Sequence, residues 1–177
     1  MGRGFGMVVI AFALVGCGGS KKGSGSRNDR EPAWECSFSI TLSGEITSTI
    51  DTDDRSSCSV THSLGSGISW DIDANEDAPY LAIDVEDVTE GELGDFPASL
   101  SIYSQDLQQR FVAPDCSVTL TEHELVETEQ TEEGVIRTYR VAGSGACPGG
   151  AIDANGSAEP LTVSDFPFRL MSIWQIQ

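Results

Sequence analysis

Cys36, Phe38, Ile40 and Leu42 alternate with Ser37, Ser39 and Thr41. A two-residue period belongs to a strand with one buried face, because successive side chains leave opposite sides of the backbone. The period returns at Ile68, Trp70 and Ile72, set against Ser69, Asp71 and Asp73. It returns at Leu81, Ile83 and Val85, with Asp84 and Glu86 opposite, at Leu100 and Ile102, and at Cys116, Val118 and Leu120. Further strands are expected at residues 46–50, 58–62, 111–112, 135–141, 161–163 and 166–176, with Pro167 marking an edge or a bulge in the last. No segment sustains a helical period, and residues 105–109 leave room for one helical turn. Many short strands at spacings of about 8–12 residues predict an all-β, antiparallel fold. The long irregular stretches 73–79, 88–97 and 147–160 favour a β-sandwich, jelly-roll or immunoglobulin-like, over a barrel.

Cys36, Cys58, Cys116 and Cys147 punctuate this pattern. An even count in an exported chain reads as two disulfides. Of three connectivities, Cys36–Cys58 and Cys116–Cys147 are favoured, because each pair brackets a local strand–turn–strand segment. Each closed loop stabilises by roughly 3–4 kcal/mol in the chain-entropy account. The spacings contain no Cys-x-x-Cys pair, which argues against zinc.

The export itself is read from the first residues. Arg3 supplies a positive start, residues 5–15 form a short apolar run, and Leu14-Val15-Gly16 places small residues before Cys17. An apolar run of about 11 residues is too short to span a bilayer as a helix and reads as a cleaved leader. Leu14-Val15-Gly16-Cys17 resembles the lipobox of bacterial lipoprotein signal peptides. The resemblance implies a diacylglyceryl thioether on Cys17, cleavage before it and acylation of the new terminus. Sulfur is the nucleophile that takes the lipid, and acyl chains at ~0.8 kcal/mol per buried CH₂ hold firmly. Gly18, rather than Asp, in the second mature position implies an outer-membrane location by the same resemblance. The expected organisation is a signal peptide at 1–16, a lipidated flexible tether at 17–33 and a single domain at 34–177.

Residues 18–30 carry no apolar side chain, so they cannot bury enough surface to offset ordering entropy. A tether of this kind spans about 20–25 Å. Its Lys21, Lys22, Arg27 and Arg30 fit either a plain soluble spacer or an attraction to an anionic leaflet of about 1 kcal/mol per residue. The chain's net charge is −18, and from residue 34 onward five arginines stand against 26 acidic residues. Such a domain repels nucleic acid and an anionic membrane surface alike. Solubility in an exported protein, divalent-cation binding and a basic partner are the three readings of that charge.

Asp71-Ile72-Asp73-Ala74-Asn75-Glu76-Asp77 is the strongest candidate for chemistry. Asp71, Asp73, Asn75 and Asp77 could offer alternate hard oxygens to Ca²⁺. The stretch resembles the start of a DxDxN calcium loop, but Glu76 replaces the turn-making glycine and Ala82 stands where a bidentate Glu is needed. The competing reading is a strand end followed by an acidic turn. His62 and His123 are the only histidines, and neither belongs to a His-Glu-x-x-His motif. Gly65-Ser66-Gly67 and Gly143-Ser144-Gly145 read as turns, not as a nucleophile elbow. Abundant carboxylates lose their diagnostic value for glycosidase chemistry. Trp34, Trp70 and Trp174 fit a sugar platform or, by default, the core. Residues 122–133 read as a solvated, protruding acidic hairpin.

Three strings recur in order: Cys-Ser-Val-Thr at 58 and 116, Ile-Asp-Ala-Asn at 72 and 152, and Asp-Phe-Pro at 95 and 165. A duplicated half-domain and chance in a biased composition both account for them. In texture, the domain resembles the two-disulfide lipoproteins of δ-proteobacteria. The expected function is a lipid-anchored cell-envelope protein with a non-catalytic structural or protein-interaction domain. It has no cofactor, and its partner is an unidentified protein or glycan. The alternative is a Ca²⁺-dependent ligand-binding or adhesion domain.

Overall fold

The computed structural model describes residues 36–63 and 66–176. The expected leader and tether, with Cys17, and Trp34 lie outside the described residues. Among the described residues eleven strands follow one another: β1 (Ser37–Ser43), β2 (Ser48–Thr52), β3 (Cys58–Ser63), β4 (Ile68–Ile72), β5 (Tyr80–Val85), β6 (Gly94–Ser104), β7 (Gln109–Thr131), β8 (Gly134–Ala146), β9 (Ile152–Asp153), β10 (Thr162–Val163) and β11 (Phe166–Ile176). A 3₁₀ turn at Arg55–Ser57, N-capped by the Asp54 carboxylate, precedes β3. No helix of the described residues is long and apolar enough to cross a membrane.

The strands form one continuous sheet in the order β10-β1-β11-β3-β4-β5-β6-β7-β8, with β2 beside β1 and β9 beside β7. All pairings are antiparallel except β11 with β3. The sheet curls into a half-barrel, and β11 also pairs β8 along its full length. The expected split into two stacked sheets is therefore corrected. The physical reason lies in β7, whose 23 residues pair β6 in the first half and β8 in the second, leaving no break between sheets. The strands expected separately at 111–112 and at Cys116, Val118 and Leu120 are both part of β7. A bulge resolves this: Ala98 faces Cys116 and Leu100 faces Ala113, so Pro114 stands outside the ladder.

The period-two residues fill the hollow. Trp70, Phe38, Phe111, Phe166, Ile40, Leu42, Ile72, Leu81, Ile83, Leu100 and Ile102 are almost fully buried. Phe38 meets Phe166 at 5.8 Å and Trp70 meets Phe168 at 5.3 Å between ring centres. Gly143 and Gly145 are not turn residues but interior to β8, facing Phe168 and Phe166 across the pair. A Cβ on Gly145 would lie 2.1 Å from the Phe166 ring. Glycine is required there because the aromatic ring occupies the space above the partner strand.

Both favoured disulfides are present. Cys116–Cys147, with Cα atoms 4.2 Å apart, continues the β7–β8 ladder one step past Ser117↔Ala146. Cys36–Cys58 closes a seam. Along one side of β11, β1 pairs Phe168 and Arg169 while β3 pairs Ile173 and Trp174, and the bridge ties the starts of these two neighbours together. Pro167 falls where the β1 ladder is interrupted between Phe168 and Val163. There the Thr41 N–H donates to the Ser164 hydroxyl at 2.9 Å, so a side chain bridges the gap. The expected helical turn at 105–109 is instead the β6–β7 turn, with Gln108 at φ 52°.

Candidate functional site

The acidic loop after β4 divides its expected ligands. Asp71, within β4, accepts a hydrogen bond from the Tyr80 hydroxyl. Burial first, then this carboxylate, pushes the Tyr80 phenol up to about 12. Asp73, Asn75 and Asp77 lie beyond, and with Glu76 and Gln105 they line an open groove of about 580 Å³. Asn75 is occupied locally, its side-chain oxygen accepting from the Asp77 N–H at 3.0 Å. Three of the four residues thus share a surface and Asp71 is engaged elsewhere. Among the described residues no group of three or more His, Cys, Asp or Glu side chains stands close enough to hold a metal ion.

A second polar constellation was not singled out from the sequence. The Tyr139 hydroxyl donates to Glu90 at 2.6 Å, and the Arg137 guanidinium donates to both oxygens of the same carboxylate at 3.1 Å. Arg137 and Tyr139 share a face of β8 because they are two residues apart. Glu90 comes from the turn between β5 and β6. Burial raises the Glu90 carboxyl, but the bonds from Tyr139 and Arg137 outweigh it and hold the group below the usual range. Burial and the Glu90 carboxylate push Tyr139 up to about 12. His123 lies beside them, 7% exposed, with its ring edge-on to Tyr139 at 4.9 Å and 6.1 Å from Trp174. Its Nδ1 is 3.1 Å from the Glu92 carbonyl, and its Nε2 is buried without a partner. Burial pushes the imidazole down, against the pull of the Glu92 carbonyl and the Glu90 and Glu92 carboxylates.

These groups form a clamp that holds the 89–92 turn on β7 and β8. Arg137, one of five arginines from residue 34 onward, was the available signal for this clamp. Its partner lies 47 residues away in an irregular turn, which periodicity does not reveal.

His62 lies in β3, its backbone facing Ile173 of β11. Trp70 and Trp174 are core residues: their indole N–H groups donate to the Met171 carbonyl at 2.8 Å and the Ser172 hydroxyl at 3.3 Å. Neither is available as a sugar platform. No protein-family model, no curated protein and no solved structure matches this chain.

Proposed function

We propose that this chain is a lipid-anchored protein of the bacterial cell envelope, held through Cys17 at the outer membrane. Its β-domain serves a non-catalytic, structural or protein-interaction role. The observation that carries the reading is the allocation of cysteines. Cys36, Cys58, Cys116 and Cys147 are consumed in two disulfides, which suit an oxidising compartment. Cys17 is then the one thiol left for lipid. The clamp around Glu90 supports a structural role, since Arg137 and Tyr139 both donate to the Glu90 carboxylate and hold the 89–92 turn on β8. Cell fractionation tests the reading. Cys17→Ser is expected to move the protein from the membrane to the soluble fraction, and a variant that stays with the membrane would contradict it.

A Ca²⁺-dependent ligand-binding or adhesion domain is the second reading. It retains Asp73, Asn75 and Asp77, which line one groove. Calorimetric titration with Ca²⁺ separates the two: heat abolished by Asp77→Ala favours the second, and no heat favours the first.

A further inference from the structure

From Ser117 to Leu120 β7 lies between β6 and β8, and Leu120 faces Gly94 at the start of β6. Beyond that point its ladder runs with β8 alone, down to Thr131↔Gly134. The turn at 89–92 meets β7 at His123, and residues 124–131 lie beyond it. Among the described residues no strand pairs their outer side. Alternate backbone N–H and C=O groups along that edge therefore lack a ladder partner, the condition under which a sheet accepts another strand.

The register of β7 on β8 decides what this edge displays. In a regular strand, Glu122 and Glu124 would occupy one face, and Glu127 and Glu129 the other. One extra residue between Leu125 and Glu127 shifts the phase. Glu122 faces Ala142, Glu124 faces Arg140, Glu127 faces Thr138 and Glu129 faces Ile136. Those partners are every second residue of β8, so the four glutamates form one row on one face. At the root of the row Arg140 lies 3.7 Å from Glu122 and 3.9 Å from Glu124, and Arg169 lies 3.5 Å from Glu122. Further out, Glu127 and Glu129 have no cationic partner among the described residues.

We propose that the open edge of β7 takes up an extended lysine- or arginine-rich segment of a partner protein by strand addition. The proposal rests on the interaction-module reading and names the surface and the chemistry of its partner. Main-chain hydrogen bonds supply the pairing, and side chains at every second position, about 7 Å apart, meet the glutamate row. The same carboxylates repel a second copy of this acidic chain and any acidic strand, so charge both selects the partner and prevents self-association.

The test uses the full chain in detergent micelles and a peptide of roughly ten residues alternating lysine and threonine. Binding is expected by calorimetry, weakening as ionic strength rises. Amide exchange is expected to slow at residues 124–131 and not at β2, whose outer side is likewise unpaired among the described residues. A peptide with the same side chains but alternate backbone nitrogens methylated is expected to lose binding. The double variant Glu127→Gln, Glu129→Gln is expected to bind about tenfold more weakly with an unchanged Tm. Equal binding of the methylated peptide, or no protection at 124–131, overturns the proposal. The interaction-module reading survives either result; it fails separately if crosslinking in intact cells joins the domain to no other protein.

Discussion

Ile72-Asp73-Ala74-Asn75 and Ile152-Asp153-Ala154-Asn155 are the same four residues with opposite fates. At the first, Ile72 continues the buried phase of β4 and Asp73 is exposed, lining the groove. At the second, β9 pairs β7 in the other phase: Asp153 faces Phe111 and is buried, while Ile152 is 55% exposed. The residues that follow complete the contrast. Gly156, with φ +68°, turns the chain back so that the Ser157 N–H and hydroxyl, each at 2.7 Å, and the Ala158 N–H at 3.1 Å donate to the Asp153 carboxylate. The Asn155 N–H donates at 3.2 Å to its other oxygen. Glu76 occupies the corresponding place after β4, and the Asp77 N–H bonds to Asn75 instead. One carboxylate organises its loop; the other faces solvent. Two copies in opposite phases also count against a duplicated half-domain, even though Phe96 and Phe166 of the Asp-Phe-Pro strings are both buried between exposed neighbours.

The largest expected effect is at Asp153. Asp153→Ala leaves three backbone N–H groups and a hydroxyl without their acceptor, and thermal melting is expected to fall by several degrees. The pH dependence follows from the same bonds. Those from Ser157, with smaller help from Asn155 and Ala158, hold the Asp153 carboxyl at about 2, below its ordinary 3.8. A depressed folded-state value means stability that is present above the ordinary value and lost as pH falls toward the lower one. The difference in stability between the wild type and Asp153→Asn should therefore be full at neutral pH and close between pH 3.8 and about 2. A gap that persists below that window would show that the Asp153 charge is not what holds the loop. Gly156→Ala is expected to cost about 1 kcal/mol in denaturant unfolding, from backbone strain alone, since nothing lies within 4 Å of the added Cβ. Asp73→Ala is expected to leave melting unchanged. A loss like that of Asp153→Ala would show that the two loops are alike after all.

Much of the sheet was legible because half-buried strands write their phase directly into the sequence, as Phe38, Ile40 and Leu42 do. Both disulfides were legible because each closes a local segment. The continuous curl was not, because it depends on β7 crossing Pro114 and on the acidic run staying in a strand. Thr128 and Thr131 suit a strand, and the bulge after Leu125 places the repelling glutamates on a solvent face. Gly143 and Gly145 were misread as a turn because their cause is the Phe168 and Phe166 rings of a distant strand. At the acidic loop, sequence spacing put Asp71 with Asp73, Asn75 and Asp77, but strand pairing brought Tyr80 to Asp71 first. The Glu90 clamp joins a turn to β8, and no local pattern encodes such a meeting.

In the proposed function each of the five cysteines has one role, and intact-mass spectrometry of the protein extracted from membranes reads all five together. The expected result is a chain that starts at Cys17 and carries diacylglyceryl and acyl groups there, with no free thiol before reduction and four after it. A chain that begins elsewhere, lacks the lipid mass or shows a free thiol before reduction would contradict it.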